Sequence, residues 1–249
     1  MVYFVGAGPG DVDLITVKGR RLLESADVVI YAGSLVWEAH LRFCKPECAT
    51  YDSAGMTLEA VIDVIADAEK QGKCVVRLHT GDPTIYGAIG EQMTALNRRG
   101  IPHEVVPGVS SFTAACAALQ REFTVPNVSQ TVIVTRMAGR TPVPPSESLE
   151  SLAAHGCAMA IFLSVQEIER VIDKLKAGYR RDDVPVAVVY KATWPEQRIL
   201  RGTLRDIAAK VNDADIRNFS QILVGDFLED SDERSRLYHP DFSHAFRKS

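Results

Sequence analysis

The stretch KCVVRLHTGDPTIYG, residues 73–87, decides the fold class. Its first half is a β-branched, apolar run typical of a buried strand, and Gly81, Asp82 and Pro83 end that run abruptly. A flexible residue, a carboxylate and a rigid residue in this order indicate a loop at the carboxyl end of the strand. Such a turn is common in globular proteins, so its role depends on the rest of the chain.

Strands and helices alternate on both sides of this stretch. In the first half, strands are predicted at 2–8, 27–33, 73–81 and 103–108, and helices at 16–25, 57–70 and 85–99. In the second half, strands are predicted at 129–136, 157–164, 184–192, 197–203 and 219–227, and helices near 147–155, 166–177 and 204–212. This alternation predicts an α/β protein with two domains, each a mostly parallel or mixed sheet flanked by helices.

A break between the halves sets the predicted domain boundary. REFTVPNV, residues 121–128, contains a proline and loses the helical period, so it is the predicted linker. The predicted domains are residues 1–120 and 121–230. The charged, aperiodic tail, residues 231–249, is expected either to fray or to order against a partner subunit.

Composition excludes several classes of function. A net charge of -4 and a pI of about 5.9 give no general attraction to nucleic acid or to anionic membranes. No segment reaches the roughly 18 uncharged apolar residues of a membrane span, and the first residues read as a strand. We therefore expect a cytoplasmic protein with a small-molecule substrate. An odd count of five cysteines argues against a disulfide framework, and CKPEC, residues 44–48, lacks further ligands, so no metal is expected.

Three loops combine glycine with groups that bind ligands. The first glycine loop, VGAGPGD at 5–11, approaches the dinucleotide pattern G-x-G-x-x-G but has Asp11 at the last glycine position, and a tight strand-to-helix turn is the alternative. In the GDP loop, TGDP at 80–83, the carboxylate would repel pyrophosphate and favour a neutral or cationic ligand such as S-adenosylmethionine. The serine loop, PGVSSF at 107–112, places two hydroxyls before an alanine-rich helix, where a helix N-cap is the alternative.

Together these segments resemble the tetrapyrrole methylases, from residue 2 to about residue 228. The resemblance rests on VYFVGAGPGDVDLITVKG (2–19), ADVVIYAGSLV (26–36), VVRLHTGDPTIYGA (75–88), VVPGVSSFTAA (105–115) and SQTVIVTRMAGRTPVPPSESL (129–149). YAGSLV and MAGRTPVP narrow it to the branch that methylates carbon 11 of precorrin-4 in cobalamin synthesis. The cobalt-containing form of that substrate and uroporphyrinogen III stay open as alternatives, and a dinucleotide-binding redox or sensor protein is the rival of another class.

The resemblance implies a homodimer with S-adenosylmethionine in a cleft between the two domains. It assigns the donor site to twelve positions: Pro9, Thr80, Gly81, Asp82, Ile85, Tyr86, Ser110, Ser111, Met137, Leu163, Ala192 and Thr193. The first domain would carry the tetrapyrrole trough and the GDP loop, and the second the adenosine side.

The substrate carries carboxylates, so basic groups are expected in its trough. The trough candidates are Tyr31, Ser34, Asp52 and Arg140. Further basic candidates are Lys18, Arg20, Arg21, Arg42 and Arg136. No general base is assigned, and His79 is expected to be a packing residue at a strand end.

Overall fold

A computed structural model gives the fold of residues 1–33, 35–231, 235, 242 and 243. Contacts divide the chain into a first unit, Met1–Ala114 with Thr193–Pro195, and a second unit, Ala115–Ala192 with Glu196–Ser249. Each unit contains one five-stranded sheet flanked by helices, which confirms the predicted α/β class. The boundary predicted at residue 120 and the roles given to the two domains stay predictions.

The first unit is a parallel α/β sheet. In chain order its elements are β1 (Val2–Gly6), α1 (Val17–Ser25), β2 (Val28–Tyr31), β3 (Ala49–Asp52), α2 (Leu58–Lys70), β4 (Val75–His79), α3 (Ile89–Arg98), β5 (His103–Val106) and the start of α4 (Ser111–Ala118). The strand order is β3-β2-β4-β1-β5, and every neighbouring pair is parallel. The carboxyl ends of all five strands therefore lie at one edge, where open α/β sheets bind ligands.

Alternation along the central strands fills a core on each face of this sheet. Phe4 and Ile30 pack with α2 and α3 on one face, whereas Val5 and Val29 pack with Leu23 of α1 on the other. Each of these five side chains is fully buried. The neighbouring strands β4, β1 and β5 thus hold the GDP loop, the first glycine loop and the serine loop side by side.

The second unit has a mixed sheet. Its elements are β6 (Val132–Arg136), α5 (Leu149–Ala153), β7 (Ala158–Phe162), α6 (Ile168–Tyr179), β8 (Pro185–Tyr190), β9 (Arg198–Thr203), α7 (Ile207–Asp213) and β10 (Ser220–Val224). In the order β6-β7-β10-β8-β9, β6 pairs with β7 in parallel, and β10 runs antiparallel to both β7 and β8. Consequently β6, β7 and β8 run in one direction and end at the same edge.

Two segments need separate mention. Of the predicted tail, residues 232–234, 236–241 and 244–249 lie outside the described residues, as does the trough candidate Ser34. None of the helices in the described part of the chain has the length and apolar character that a membrane span requires.

Candidate functional site

Backbone hydrogen bonds join the first glycine loop to the GDP loop at the edge of the first sheet. Ala7 N donates to His79 O at 2.7 Å. Beyond it, Gly8 N donates to Gly81 O at 3.2 Å and Gly81 N donates to Gly8 O at 2.8 Å, which forms an isolated antiparallel bridge. The two loops therefore hold each other in place without side chains.

Glycines are required where these loops meet the serine loop. A Cβ atom on Gly6 would lie 2.5 Å from Gly81 O and 2.7 Å from the Cα of Gly108. A Cβ on Gly108 would lie 2.2 Å from the same oxygen. Because these neighbours are backbone atoms, they cannot swing aside. The three loops can therefore approach one another this closely only without side chains at Gly6 and Gly108.

Asp82 connects the GDP loop to the serine loop. Its Oδ1 accepts from Thr84 N at 2.8 Å and from Thr84 Oγ1 at 2.6 Å, and its Oδ2 accepts from Gly108 N at 3.1 Å. Gly81 before it has φ +61°, which favours glycine. The carboxylate predicted to face the donor thus also fixes the shape of the loops around it.

The other residues of the first unit that are predicted to bind the methyl donor lie along the same loops. Pro9 and Ser110 are buried, Ile85 is half-buried and Tyr86 is exposed. Tyr86 also has φ 54°, a left-handed backbone conformation that costs a non-glycine residue of order 1–3 kcal/mol. Residues held in such conformations cluster at functional sites, and the role of Tyr86 in binding the donor stays a prediction. Thr80 and Ser111 are half-buried neighbours.

The segment Thr193–Pro195 is part of the first unit and contacts the first glycine loop. Thr193 Oγ1 accepts from Asp11 N at 2.9 Å, and Trp194 Nε1 donates to Pro9 O at 2.9 Å. The Trp194 ring also stacks on Trp37, with ring centroids 5.5 Å apart and an interplanar angle of 28°. Sequence reasoning identified neither tryptophan, because no local pattern marks a contact between residues this far apart in the chain.

Trp194 also accounts for the third glycine of the first loop. A Cβ on Gly10 would lie 2.1 Å from Cδ1 of the Trp194 ring. The loop does not open a helix directly either, because a short 3₁₀ turn, Val12–Leu14, precedes α1 and Thr16 caps that helix. Gly10 therefore makes room for an indole, and the arrangement differs from that of a dinucleotide fingerprint.

Three donor candidates follow parallel-running strands of the second unit. Met137 comes directly after β6 and Leu163 directly after β7, and Ala192 lies two positions beyond β8. Met137 N donates to Ser164 Oγ at 2.9 Å, while its side chain belongs to the hydrophobic core. Leu163 is 62% exposed and has φ 53°, so an apolar side chain is displayed on strained backbone at this edge. Strained backbone of this kind is concentrated at functional sites.

Two of the trough candidates are register partners at the ends of β2 and β3. Tyr31 pairs with Asp52, whose Oδ1 accepts from Gly33 N at 2.9 Å and Ala54 N at 2.8 Å. Burial, followed by the negative charges of Glu38 and Asp52, raises the pKa of Tyr31, so its phenol is protonated at neutral pH.

Arg140 lies in the second unit and is exposed on the loop after β6. Arg136 shapes this loop, since its guanidinium donates to the carbonyls of Met137 at 3.3 Å, Thr141 at 3.1 Å and Pro142 at 2.7 Å. The Arg136 guanidinium is thus engaged in its own loop, whereas Arg140 is presented to solvent.

Several other basic candidates have partners within the first unit. Lys18 forms an ion pair with Glu104. The guanidinium groups of Arg20 and Arg42 lie over the ring of Phe43, at 4.7 and 5.0 Å from its centroid. Because their charged groups already have these partners, the three side chains are less available to bind substrate carboxylates.

A buried basic pair lies beneath the GDP loop. His79 is 5% exposed, and burial, with the charge of Arg77, lowers its pKa to about 3, so the imidazole is neutral. Its Nε2 has no hydrogen-bond partner among the described residues, which fits a packing residue rather than a base. Arg77 is 7% exposed and donates to Gln92 Oε1 at 3.2 Å and Ile30 O at 3.1 Å. Sequence reasoning missed this arginine, because its strand reads as apolar.

The cysteines carry no sign of metal chemistry. All five are free. Burial raises the pKa of Cys44 to about 12, so that thiol is neutral at pH 7. Among the residues that the structure describes, no group of three or more potential ligands is arranged to hold a metal ion.

The chain is similar to proteins of known sequence over nearly its whole length. Residues 1–208 match the family described as Tetrapyrrole (Corrin/Porphyrin) Methylases. The chain is 53% identical over 249 residues to the cobalt-precorrin-4 C(11)-methyltransferase of Methanocaldococcus jannaschii, covering 100% of this chain and 96% of that protein. It is 47% identical over 248 residues to the precorrin-4 C(11)-methyltransferase of Pseudomonas aeruginosa, covering 99% and 98% respectively.

Solved structures show the same similarity. An X-ray structure of a cobalt-precorrin-4 methyltransferase superposes with a TM-score of 0.90 at 48% identity, covering 92% of this chain and 96% of that one. The uroporphyrin-III C-methyltransferase of Thermus thermophilus, complexed with S-adenyl homocysteine, superposes with a TM-score of 0.75 at 26% identity, covering 92% and 93%.

Proposed function

This chain belongs to the tetrapyrrole (corrin/porphyrin) methylases, and on that premise we propose that it transfers a methyl group from S-adenosylmethionine to carbon 11 of precorrin-4 in cobalamin biosynthesis. The observation that carries the proposal is full-length similarity: relatives at 53% and 47% identity over nearly the whole chain are both carbon-11 methyltransferases. A uroporphyrinogen-III C-methyltransferase of Bacillus subtilis is 32% identical, and the match covers only 48% of that protein.

The metal content of the substrate is the finer question. Relatives named for cobalt-precorrin-4 are 53% and 49% identical, and relatives named for precorrin-4 are 48% and 47% identical. The lower cobalt value and the higher metal-free value differ by one percentage point, so identity alone does not choose between the two forms. The proposal therefore covers both forms of the same macrocycle and the same reaction.

Each sheet, taken by itself, has groups at one edge that suit part of such a donor. Gly8, Gly81 and Gly108 keep side chains away from the place where the three loops meet, which would allow a ligand to approach the backbone closely. Tyr86 and Leu163 offer exposed apolar surface for an adenine. We assign the donor to the twelve predicted positions: Pro9, Thr80, Gly81, Asp82, Ile85, Tyr86, Ser110, Ser111, Met137, Leu163, Ala192 and Thr193.

The donor supplies a methyl group on a sulfonium whose neutral thioether leaves without a proton. The remaining contribution of this chain is alignment and exclusion of water, and alignment alone is worth about 7–11 kcal/mol of barrier in favourable systems. Neither Tyr31, which is protonated, nor His79, which is buried and neutral, is suited to serve as a base at neutral pH. The donor-shaping loops therefore have the main role in the proposed reaction.

Arg140 is the proposed ligand for substrate carboxylates. It is exposed, and Arg136 holds the loop on which it lies. A charge-assisted contact from a fixed guanidinium gives both affinity and orientation. Tyr31, Asp52 and Ser34, the last outside the described residues, complete the proposed trough.

The test is a side-by-side assay of precorrin-4, cobalt-precorrin-4 and uroporphyrinogen III with purified protein and S-adenosylmethionine. We expect S-adenosylhomocysteine and a singly methylated product with one or both forms of precorrin-4. Background levels with all three substrates, or turnover of uroporphyrinogen III alone, would contradict the proposal. Tight binding of NAD(P) without binding of S-adenosylhomocysteine would favour the redox or sensor rival.

We also propose that the enzyme works as a homodimer in the cytoplasm. Free thiols at all five cysteines suit a reducing compartment. Sedimentation equilibrium should give twice the chain mass, and a single chain mass at micromolar concentration would contradict the dimer.

A further inference from the structure

Trp194 lies against the first glycine loop, and we infer that it is a positioning residue for the donor site. The inference rests on the proposed function, because it concerns the loop that would hold the donor through Pro9. Trp194 would act through the backbone of that loop and not by touching the reacting atoms.

Two hydrogen bonds bracket Gly10. Trp194 Nε1 donates to Pro9 O on one side, and Asp11 N donates to Thr193 Oγ1 on the other, each at 2.9 Å. Bonds on both sides of one glycine fix the orientation of the peptide groups between them. The first glycine loop therefore takes its shape from residues about 180 positions later in the sequence.

The fit between Gly10 and the indole is steric as well. The three atoms nearest to a Cβ on Gly10 all belong to the Trp194 ring, at 2.1, 2.4 and 2.9 Å. Gly10 does not have a positive φ, so its backbone would accept alanine. The absence of a side chain at this position thus serves the tryptophan alone.

The same ring also supports the segment that follows β2. Trp37 stacks on Trp194, and Trp37 N-caps the 3₁₀ helix Glu38–Phe43. Trp37 lies six residues after Tyr31, a trough candidate at the end of β2. Trp194 therefore contacts both the loop proposed to hold the donor and the segment next to the proposed substrate trough.

Backbone strain agrees with an imposed geometry. Thr193 has φ 71°, an unfavourable value for a β-branched residue. Such a conformation persists only where the surroundings hold it in place, and it is concentrated at sites whose geometry matters for function. The bond from Asp11 and the stacked indole beside Thr193 provide that support.

The test is calorimetric titration of S-adenosylhomocysteine into four variants: Trp194→Phe, Trp194→Ala, Gly10→Ala and the double variant Gly10→Ala/Trp194→Ala. Trp194→Phe keeps an aromatic ring but loses the N–H group that bonds to Pro9 O. We therefore expect the affinity for S-adenosylhomocysteine to fall roughly two- to tenfold, as for one lost hydrogen bond. Trp194→Ala should weaken binding further. Gly10→Ala should weaken binding alone but add nothing to Trp194→Ala, since the clashing ring is then gone.

A ligand-free readout accompanies the titration. The chain has two tryptophans, and they form this stack. The exciton signal of the pair in circular dichroism should be present in the wild type, altered by Gly10→Ala and lost in both Trp194 variants. Gly90→Ala is the matched control, because nothing lies within 4 Å of a Cβ there, and its affinity should equal that of the wild type.

The outcomes separate the two proposals. Wild-type binding with equal affinity in both Trp194 variants would overturn the positioning role and leave the proposed function standing. Equal weakening by Gly10→Ala with and without Trp194 would also overturn it. If the wild type itself binds no S-adenosylhomocysteine, the proposed function fails and the positioning role fails with it.

Discussion

The carboxyl edges of the two sheets are built in different ways. At the first edge, Gly8, Gly81 and Gly108 bring bare backbone segments together. At the second edge, Leu163 has a left-handed backbone, as do Lys191 after β8 and Phe219 before β10, with φ values of 53°, 47° and 50°. A loop can thus be shaped by omitting side chains or by packing that holds strained residues in place. Only the first way leaves a glycine pattern in the sequence.

The largest expected effect is at Gly6. Gly6→Ala would push a Cβ into Gly81 O and Gly108 Cα, so we expect the free energy of unfolding to fall by about 3 kcal/mol. Urea unfolding measures this loss. Gly90→Ala, inside α3 and in open space, should instead stabilise the protein by about 0.5–1 kcal/mol. Equal stability of the two variants would show that the first edge tolerates side chains.

Acid should affect the first unit before the second. His40 and His79 are buried there, and burial lowers the pKa of each, that of His79 to about 3. Below about pH 6.5 these histidines bind protons in the unfolded chain but stay neutral in the folded one. Their buried, neutral state therefore does not reduce the stability of the fold above that pH. For His79 stability is lost as pH falls from there toward 3, by up to about 1.4 kcal/mol per pH unit, and His40 acts in the same direction.

Hydrogen exchange followed by mass spectrometry across this pH range would show which unit loses stability first. Peptides of the first unit should lose protection at higher pH than peptides of the second. His79→Leu removes one titrating group and should flatten the dependence. An unchanged slope in that variant would exclude His79 as its source.

Asp82→Ala should weaken donor binding with the fold retained. It removes the acceptor for Thr84 and leaves Gly108 N unpaired, which costs about 1–3 kcal/mol of stability. We expect the affinity for S-adenosylhomocysteine to fall about tenfold, since the loops it joins would separate. Asp82→Asn, which keeps one acceptor oxygen, should lie between alanine and wild type. Unchanged affinity in calorimetry would remove Asp82 from the donor site.

The smallest expected change in stability is at Leu163. Leu163→Gly relieves left-handed strain but adds backbone freedom, so stability should change by less than about 1 kcal/mol, while donor affinity falls with the lost apolar contact. Arg180→Gly is the matched control, because Arg180 is also left-handed, with φ 57°, at the carboxyl end of α6. Thermal melting and titration should show similar stability in both variants and weaker binding only for Leu163→Gly. Weaker binding in both would point to an indirect effect.

Sequence predicted the fold well where burial imposes a clear pattern. The runs at 2–8 and 73–81 contain β1 and β4 but extend past them, because Gly8 and Gly81 bond across the two loops instead of continuing the ladder. β3 was missed because all four of its residues are exposed and carry no apolar alternation. α3 was predicted to begin at 85 but begins at Ile89, since left-handed residues at 86 and 88 delay it.

The candidate site residues stay a prediction, and local sequence patterns mark only some of the residues that shape their loops. Gly81 and Asp82 were identified only together with the other segments that resemble the family, because a Gly-Asp-Pro turn by itself is common. The bond between Trp194 and Pro9 spans 185 positions, and no local pattern reports it. Arg77 was hidden within an apolar run, because the strand that buries it has otherwise ordinary composition.

The assignment of Thr193–Pro195 to the first unit affects how the protein can be divided. A fragment ending at residue 114 would lack the Trp194 indole, which covers Gly10 and whose N–H group bonds to Pro9 O. A chimera that takes its first unit from one relative must therefore take these three residues from the same relative. Exchange of modules between such enzymes is then restricted to partners that retain matching residues at both places.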